Sequence, residues 1–192
     1  MLPEFIRTHY EVHEWKHACA ILRYDFPDEW HDLIDLLSGF RLKRSDIVTP
    51  GGRKSPISSK IDSFLYERGW EETQFHTAIL VDEQQYDSPT HKIDCYKNKI
   101  AIEIEWNNKD PFYDRDLNNF RLLFDLRVVS VGVIITRSDG LQEIFNRLNK
   151  GNSYGASTTH MSKLLPRIEG GSGGGCPILA FGITEKLYDE EA

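Results

Sequence analysis

The spacing of apolar and polar positions predicts alternating helices and strands along the whole chain. Trp30, Leu33 and Leu37 fall on one side of a helix that begins at Pro27, a residue that suits a first helical turn. The run Val128–Thr136 is too apolar for an exposed edge and predicts a buried strand. The same spacing predicts helices at 13–23, 27–37, 58–69, 115–124, 141–148 and 162–168, and strands at 5–10, 75–81, 92–96, 99–106, 128–136 and 177–183.

These elements alternate without an internal repeat or a domain boundary. We therefore predict a single α/β domain over residues 1–192, built on a mixed sheet. A content of 40% hydrophobic and 28% charged residues is typical of one globular core. The glycine-rich segment 170–175 is either a flexible connection or a place where the backbone comes close to a partner.

Compartment signals are few. No apolar run reaches the length of a membrane span, and the first residues lack the basic and apolar regions of a signal peptide. Cys19, Cys95 and Cys176 are an odd number of cysteines without a CxxC pair. This usage predicts reduced thiols in a cytoplasmic protein, and it argues against a disulfide framework or a zinc site.

The net charge of −7 does not by itself indicate a nucleic-acid-binding protein. Net charge averages over a surface, however, and an acidic protein can bind DNA through a local basic patch. Such a patch surrounds Asp46, in a loop rich in Gly, Pro and Ser, and consists of Arg41, Lys43, Arg44, Arg53 and Lys54. We interpret it as a contact to the DNA backbone if the protein is a nuclease, and as a solvated loop if it is not.

The segment 93–106 carries the most specific signal, because it predicts two strands joined by a tight polar turn. Asp94 ends the first strand, and Glu103 and Glu105 share one face of the second. Burying an unpaired charge is costly, so carboxylates that converge on a strand suggest a site for a hard cation such as Mg²⁺. The alternative is that Asp94 is a turn residue and that both glutamates line a wet face.

Phosphodiester hydrolysis fits these residues. The reaction needs a deprotonated water, neutralisation of a pentacovalent phosphorus and stabilisation of the leaving oxygen, and one or two Mg²⁺ ions can serve all three needs. In this hypothesis Asp94, Glu103 and the carbonyl of Ile104 bind the metal. Glu105 either binds a second ion or accepts a proton from the attacking water.

The motif resembles the active site of the BglII/BstYI-like restriction endonucleases, a BamHI-related branch of the PD-(D/E)xK nucleases. The likeness begins with an Ile-Asp pair followed by Glu-x-Glu-aromatic, and the strand Ile100–Glu105 is similar to the family's Val-Ala-Ile-Glu-Val-Gln strand. Three more segments resemble family motifs: Phe26–Trp30 its Pro-x-x-Trp helix, Ser55–Glu72 its Ser-Pro helix ending in Gly-Trp, and Val131–Thr136 its next strand.

The resemblance implies a restriction-endonuclease-like mixed central sheet flanked by helices. It also implies a homodimer that uses Mg²⁺, with Mn²⁺ as a substitute, to cut a palindromic DNA duplex containing GATC and leave 5′-phosphate ends. Asp94 and Glu103 match metal ligands, whereas Glu105 stands where many relatives in the superfamily carry Lys and BglII-like enzymes carry Gln. A further carboxylate is common in such sites, and the nearest candidate is Glu72.

Two loops contain candidate DNA contacts. Asn107 and Lys109 follow the second strand; Asn can pair with adenine and Lys with phosphate or guanine, unless the loop is simply polar. The resemblance places sequence reading in the loop 151–160, which is otherwise an ordinary surface loop. Its candidates are Ser153, Thr158, Thr159 and His160.

His9, His13 and His17 would form a metal site only on one continuous helix, which the predicted strand-then-helix order does not allow. Three functions remain open at this point. The chain is a type II restriction endonuclease, another PD-(D/E)xK nuclease of repair or defence, or a non-catalytic DNA-binding protein that keeps the fold.

Overall fold

The computed structural model describes residues 2–49, 54–88 and 90–190. The helices in this part of the chain are α1 (Glu4–His9), α2 (Ala18–Asp25), α3 (Pro27–Gly39), α4 (Arg44–Val48), α5 (Pro56–Tyr66), α6 (Phe112–Asp125), α7 (Leu141–Arg147) and α8 (Met161–Glu169), with a 3₁₀ turn at Glu185–Leu187. The strands are β1 (Tyr10–Trp15), β2 (Leu42–Lys43), β3 (Glu71–Thr73), β4 (Ala78–Val81), β5 (Gln84–Asp87), β6 (Ile93–Lys97), β7 (Ile100–Ile104), β8 (Val131–Arg137), β9 (Ile178–Ile183) and β10 (Tyr188–Asp189).

A mixed six-stranded sheet forms the centre, in the order β1-β9-β8-β7-β6-β3. The pairs β7–β8 and β8–β9 are parallel, and the outer pairs are antiparallel. Every residue of β7, β8 and β9 is buried. Because helices cover both faces of this sheet, the predicted α/β fold with a mixed central sheet is confirmed.

The two faces of the sheet pack against different helices. Ile102, Ile104 and Ile135 face a core to which α3 and α5 contribute. Ala101 and Ile134 face a second core built with α6 and α8. Since strand side chains alternate, residues 103 and 105 point toward the α6 side. This alternation decides which helix lies over the two glutamates.

Four predicted elements differ from the structure. Residues 5–9 lie in helix α1 instead of a strand, and the segment predicted as one helix from residue 13 contains the end of β1 before α2 begins. His9, His13 and His17 therefore do not share a helix. Strand β4 pairs only with β5, in a hairpin outside the central sheet whose residues are all exposed. Helix α5 begins at Pro56, and its cap is Ser55, which accepts a hydrogen bond from the Ser58 amide (3.0 Å).

The segment predicted as a basic loop also contains regular structure. Strand β2 pairs in parallel with β10, and α4 follows it directly. Arg53 lies outside the described residues. The cysteines Cys19, Cys95 and Cys176 are free thiols, as predicted. Within residues 2–49, 54–88 and 90–190, every helix is too short or too polar to cross a bilayer.

Candidate active site

A two-residue turn sets the register of the β6–β7 hairpin. Asn98 and Lys99 both have positive φ angles, 44° and 69°, as a type I′ turn requires. The turn pairs Cys95 with Ile102, and the same register continued by one residue places Asp94 opposite Glu103. Residues directly opposite each other in an antiparallel pair share a face, so the hairpin brings both carboxylates to the α6 side.

Asp94 is fixed by backbone groups of the neighbouring strand. Its Oδ2 accepts a hydrogen bond from the Ile104 amide (2.9 Å), and its own amide donates to Glu103 Oε2 (3.3 Å). Burial raises the pKa of Asp94, while the Ile104 hydrogen bond and the charges of Lys54 and Arg115 act in the opposite direction. Asp94 thus lies near the start of β6, where the Ile104 amide and the charges of Lys54 and Arg115 favour its ionised form against the effect of burial.

Glu103 is enclosed by the protein. Its exposure is 1%, and Oε1 has no hydrogen-bond partner among the described residues. Burial and the negative charges of Asp116, Asp94 and Glu105 together raise its pKa well above the ordinary value. An uncompensated acid in this position costs stability, so a buried carboxylate without a cation needs a functional explanation.

Glu105 lies one residue beyond β7 but continues the strand ladder, because its amide donates to the Ile135 carbonyl (2.9 Å). Its Oε2 accepts a hydrogen bond from Asn108 Nδ2 (2.9 Å). Its carbonyl accepts from the hydroxyls of Thr136 (2.9 Å) and Thr159 (3.2 Å). Burial, followed by the charge of Asp116, raises the pKa of Glu105.

Asp116, on α6, is a site residue that the sequence interpretation missed. It is fully buried, its Oδ1 accepts from Arg115 Nε (3.0 Å) and Nη2 (2.9 Å), and its Oδ2 has no hydrogen-bond partner among the described residues. Burial raises the pKa of Asp116, and the positive charge of Arg115 opposes that effect. A signal was present: Asp116 lies three residues after Tyr113 and four before Phe120, on the stripe that packs against the sheet.

Glu72 is placed differently from the expectation of an added metal carboxylate. It lies in β3, its side chain is 48% exposed, and Lys92 donates to it (2.7 Å). That hydrogen bond lowers the pKa of Glu72. The residue nevertheless lines the same cleft as Asp94.

A cleft of about 540 Å³ opens above these carboxylates. Asp94 and Glu105 face it, whereas Glu103 and Asp116 lie beneath its floor. Its rim is basic and polar, with Lys54, Ser55, Ser58, His91, Lys92, Asn108 and Arg115 among the lining residues. The basic rim can attract an anionic substrate, and the negatively charged floor can bind a cation that contacts this substrate.

Two buried carboxylate oxygens, Glu103 Oε1 and Asp116 Oδ2, have no hydrogen-bond partner among the described residues and could face a cation. Within residues 2–49, 54–88 and 90–190, no three His, Cys, Asp or Glu side chains are grouped so that they could hold one metal ion. Asp94 and Glu103 are neighbours, however, and the orphaned oxygens Glu103 Oε1 and Asp116 Oδ2 are hard donors. This donor set fits a divalent cation that prefers oxygen ligands, and metal binding by Asp94, Glu103 and the Ile104 carbonyl stays a prediction.

The basic patch predicted around Asp46 is divided between two places. Lys54 lies on the cleft, whereas Arg41 and Lys43 line a separate groove beside Phe40 and Phe64. Arg44 is exposed on α4. The structure therefore brings Lys54 to the carboxylates and leaves Arg41, Lys43 and Arg44 on another part of the surface.

The two loops predicted to touch DNA are joined to each other. Lys109 pairs with Thr158 in an antiparallel bridge, and the Thr159 amide donates to the Asn108 carbonyl (2.8 Å). Lys109 and Ser153 are exposed, Asn107 and Thr158 are half-buried, and Thr159 and His160 are buried. The Thr159 hydroxyl forms hydrogen bonds with Glu105 and Asn108, and the His160 ring forms one with Thr158. DNA contacts by these residues stay predictions.

Comparison with known proteins agrees with this geometry. A search of curated proteins gave no match. The profile of the family described as restriction endonuclease BglII/BglIII matches residues 10–183, which is most of the chain and includes the carboxylates, the cleft and both loops. The chain therefore belongs to the BglII/BglIII restriction endonuclease family and is a site-specific deoxyribonuclease.

Proposed function

We propose that this restriction endonuclease uses Mg²⁺ to cut both strands of a short palindromic duplex containing GATC. It would act in the cytoplasm as a homodimer of single-domain chains, with one cleft for each strand. The observation that carries the metal-dependent chemistry is the pair Asp94 and Glu103, adjacent across the β6–β7 hairpin, with Glu103 Oε1 buried and unpartnered. The palindrome and the GATC content rest on the sequence resemblance.

Asp94, Glu103 and the Ile104 carbonyl would hold the ion, for which Mn²⁺ would substitute. When bound, a divalent cation supplies charge to neutralise the phosphate and lowers the pKa of a water molecule. Glu105 faces the cleft, where Asn108 donates to its Oε2 and Arg115 Nη2 lies 3.6 Å from its Oε1. Its carboxylate would orient the attacking water and accept its proton. The water oxygen bonds to phosphorus, the P–O3′ bond breaks and the 3′-oxygen takes a proton from solvent, leaving a 5′-phosphate and a 3′-hydroxyl.

Other groups of the chain position the substrate. Lys54 is exposed at the rim, where its ammonium can contact a phosphate. Lys109 is exposed beside the end of β7 and is placed for the same role. The loop 151–160, joined to Asn108 and Lys109, is the segment we propose to read bases.

The test is digestion of a plasmid of mixed sequence with the purified chain and Mg²⁺, followed by sequencing of the fragment ends. We expect discrete fragments that share a palindrome and carry 5′-phosphates, and equal cutting of both strands. Asp94→Asn should be inactive yet still bind the duplex. Asp114, an exposed aspartate on α6 that pairs with Arg167 of α8 (2.9 Å), provides the matched control, and Asp114→Asn should cut like the wild type.

Each contrary outcome has a definite meaning. A smear of fragments would indicate a nuclease without a fixed palindrome, such as one of repair or defence. Absence of cleavage with Mg²⁺ and with Mn²⁺ would contradict the proposal as a whole. Full activity of Asp94→Asn would contradict the metal site while leaving the nuclease itself in place.

A further inference from the structure

The floor of the cleft concentrates negative charge. Asp94 and Glu105 face the cleft, and Glu103 and Asp116 lie just beneath it. A phosphodiester is itself an anion, and its charge shifts onto the phosphoryl oxygens as the attacking bond forms. Strand β7 and Glu105, which follows it, contain no Lys or Arg, so the strand contributes no cation of its own. A positive group from another element has to offset this charge.

Arg115, on α6, is the cation that reaches the floor. Its Nη2 lies 3.6 Å from Glu105 Oε1, and its Nε and Nη2 contact Asp116 Oδ1 at 3.0 and 2.9 Å. Its charge also bears on Asp94 and Glu105, since it acts to lower the pKa of both. The side chain thus lies against Glu105 and Asp116 at the floor of the cleft.

These contacts hold the guanidinium in place and leave some of its N–H donors available. Asp116 fixes one edge, and the Phe112 ring lies below its plane, with 4.2 Å between the guanidinium carbon and the ring centroid. The side chain is 31% exposed and lines the cleft. Nη1 makes no hydrogen bond to any of the described residues. An oriented guanidinium with free N–H groups can bind a phosphate oxygen without reorganising.

The neighbouring lysines each pair with a carboxylate other than Glu105 and Asp116. Lys54 pairs with Asp62 of α5, and Lys92 pairs with Glu72 (2.7 Å) at the rim. Neither of them contacts Glu105 or Asp116 in the described part of the chain. Position therefore separates Arg115 from the rim lysines, which are placed to attract a duplex and not to meet the reacting phosphorus.

We propose that Arg115 is a catalytic residue whose guanidinium contacts a non-bridging oxygen of the scissile phosphate. It stabilises the charge that develops as the water–phosphorus bond forms and the P–O3′ bond breaks, and it neither gains nor loses a proton. Asp116 is a positioning residue that orients this guanidinium. The inference rests on the proposed function, since it assigns a role in phosphodiester hydrolysis at the same cleft.

The experiment measures single-turnover cleavage at saturating duplex for Arg115→Ala, Arg115→Gln and Arg115→Lys. Loss of a preorganised donor to a developing oxyanion reduces rates about 10²- to 10³-fold, and we expect this fall for Ala and Gln and a smaller one for Lys. Duplex affinity in Ca²⁺ should change little. Low, non-denaturing guanidinium chloride should restore part of the Arg115→Ala rate, whereas NaCl of equal ionic strength should not.

Arg121→Ala is the matched control, because Arg121 lies on the same helix and contacts Asn118 instead of the carboxylates. Its cleavage rate should equal that of the wild type, with or without guanidinium. A purely structural Arg115 would show a lowered melting temperature and no rescue by guanidinium, and that result would overturn the proposal. Arg115→Gln keeps a donor for Asp116 and serves if the Ala variant does not fold.

Failure of this inference is distinguishable from failure of the proposed function. If the wild type cuts DNA and Arg115→Ala loses less than about tenfold in rate, Arg115 has no catalytic role and the nuclease assignment stands. If the wild type does not cut with Mg²⁺ or Mn²⁺, the proposed function itself is wrong, and the role of Arg115 falls with it.

Discussion

Two sets of buried carboxylates lie in this fold, and they differ in their partners. Asp46 on α4 and Asp62 on α5 each have a lysine: Lys60 approaches Asp46, and Lys54 approaches Asp62. Asp46 also accepts a hydrogen bond from the Lys43 amide (2.9 Å). Glu103, equally buried, has only the Asp94 amide on one oxygen and no partner within the described residues on the other.

The difference separates acids that support the fold from the acids for which we propose a role in catalysis. The charge of a buried carboxylate is compensated when a lysine and an amide contact it. Removing that carboxylate leaves the lysine without a counter-charge and the amide without an acceptor, which destabilises the fold. Glu103 is surrounded by Asp94, Glu105 and Asp116, all of the same sign, and this crowding raises its pKa. Such an arrangement is unfavourable in the free chain and becomes favourable when a cation is added.

The largest expected effect is on catalysis. Glu103→Gln should lower single-turnover cleavage by at least about 10³-fold, because a metal-bound transition state loses several kcal/mol of charge stabilisation. Asp46→Asn, a substitution of the same kind in the paired set, should keep cleavage near the wild-type rate once the protein is folded. Equal losses in the two variants would remove the distinction between the sets.

Stability should respond in the opposite way. Asp46→Asn should destabilise the chain by about 1–3 kcal/mol, because it weakens a charge-assisted hydrogen bond and leaves Lys60 without its counter-charge. The measurement is urea unfolding in EDTA at neutral pH. A stable Asp46→Asn protein would show that this pair contributes only surface electrostatics.

Glu103→Gln should stabilise the metal-free chain by about 1 kcal/mol at neutral pH, since it removes an uncompensated buried acid. The folded pKa of Glu103 lies above its unfolded value, so the native state holds the proton more tightly. Stability is therefore full below the unfolded pKa and falls as pH rises toward the folded pKa. Melting in EDTA from pH 5 to pH 8 should show this slope in the wild type, a shallower one in Glu103→Gln, and a partial reversal by Mg²⁺.

The smallest effect concerns Lys54, which pairs with Asp62 and also lines the cleft. Lys54→Gln should weaken DNA binding similarly for all sequences and reduce the slope of log affinity against log salt by about one phosphate contact. Lys60→Gln is the matched control, because Lys60 pairs with Asp46 and lines a different groove. A change of sequence preference in Lys54→Gln would mean that this lysine reads bases.

The sequence predicts the core of this site because its signals are local. Two-residue alternation and the polar turn at Asn98–Lys99 place Asp94 and Glu103 on one hairpin, and the apolar run 128–136 marks its neighbouring strand. Asp116 escaped prediction because its role depends on how α6 lies across the sheet. Helical spacing places Asp116 on the stripe that packs against the sheet, but it does not show which strand residues lie opposite that stripe.

Other differences have the same origin. Segments such as 5–10 and 75–81 are too short for the spacing of their apolar positions to separate helix from strand or sheet from hairpin. The bridge between Lys109 and Thr158 joins residues far apart in sequence, so no pattern within either loop predicts it. Contacts formed by tertiary packing are therefore the part of the site that required the structure.

The hydroxyl of Thr159 donates a hydrogen bond to the carbonyl of Glu105, and the Thr159 amide donates one to the carbonyl of Asn108. The Asn108 amide also donates to the Thr159 hydroxyl (3.2 Å). These bonds attach the loop 151–160 to the end of the strand that leads to Glu105, the carboxylate we propose as the base. A displacement of that loop would therefore shift the backbone of Glu105, so that occupancy of the loop and chemistry in the cleft would be mechanically coupled.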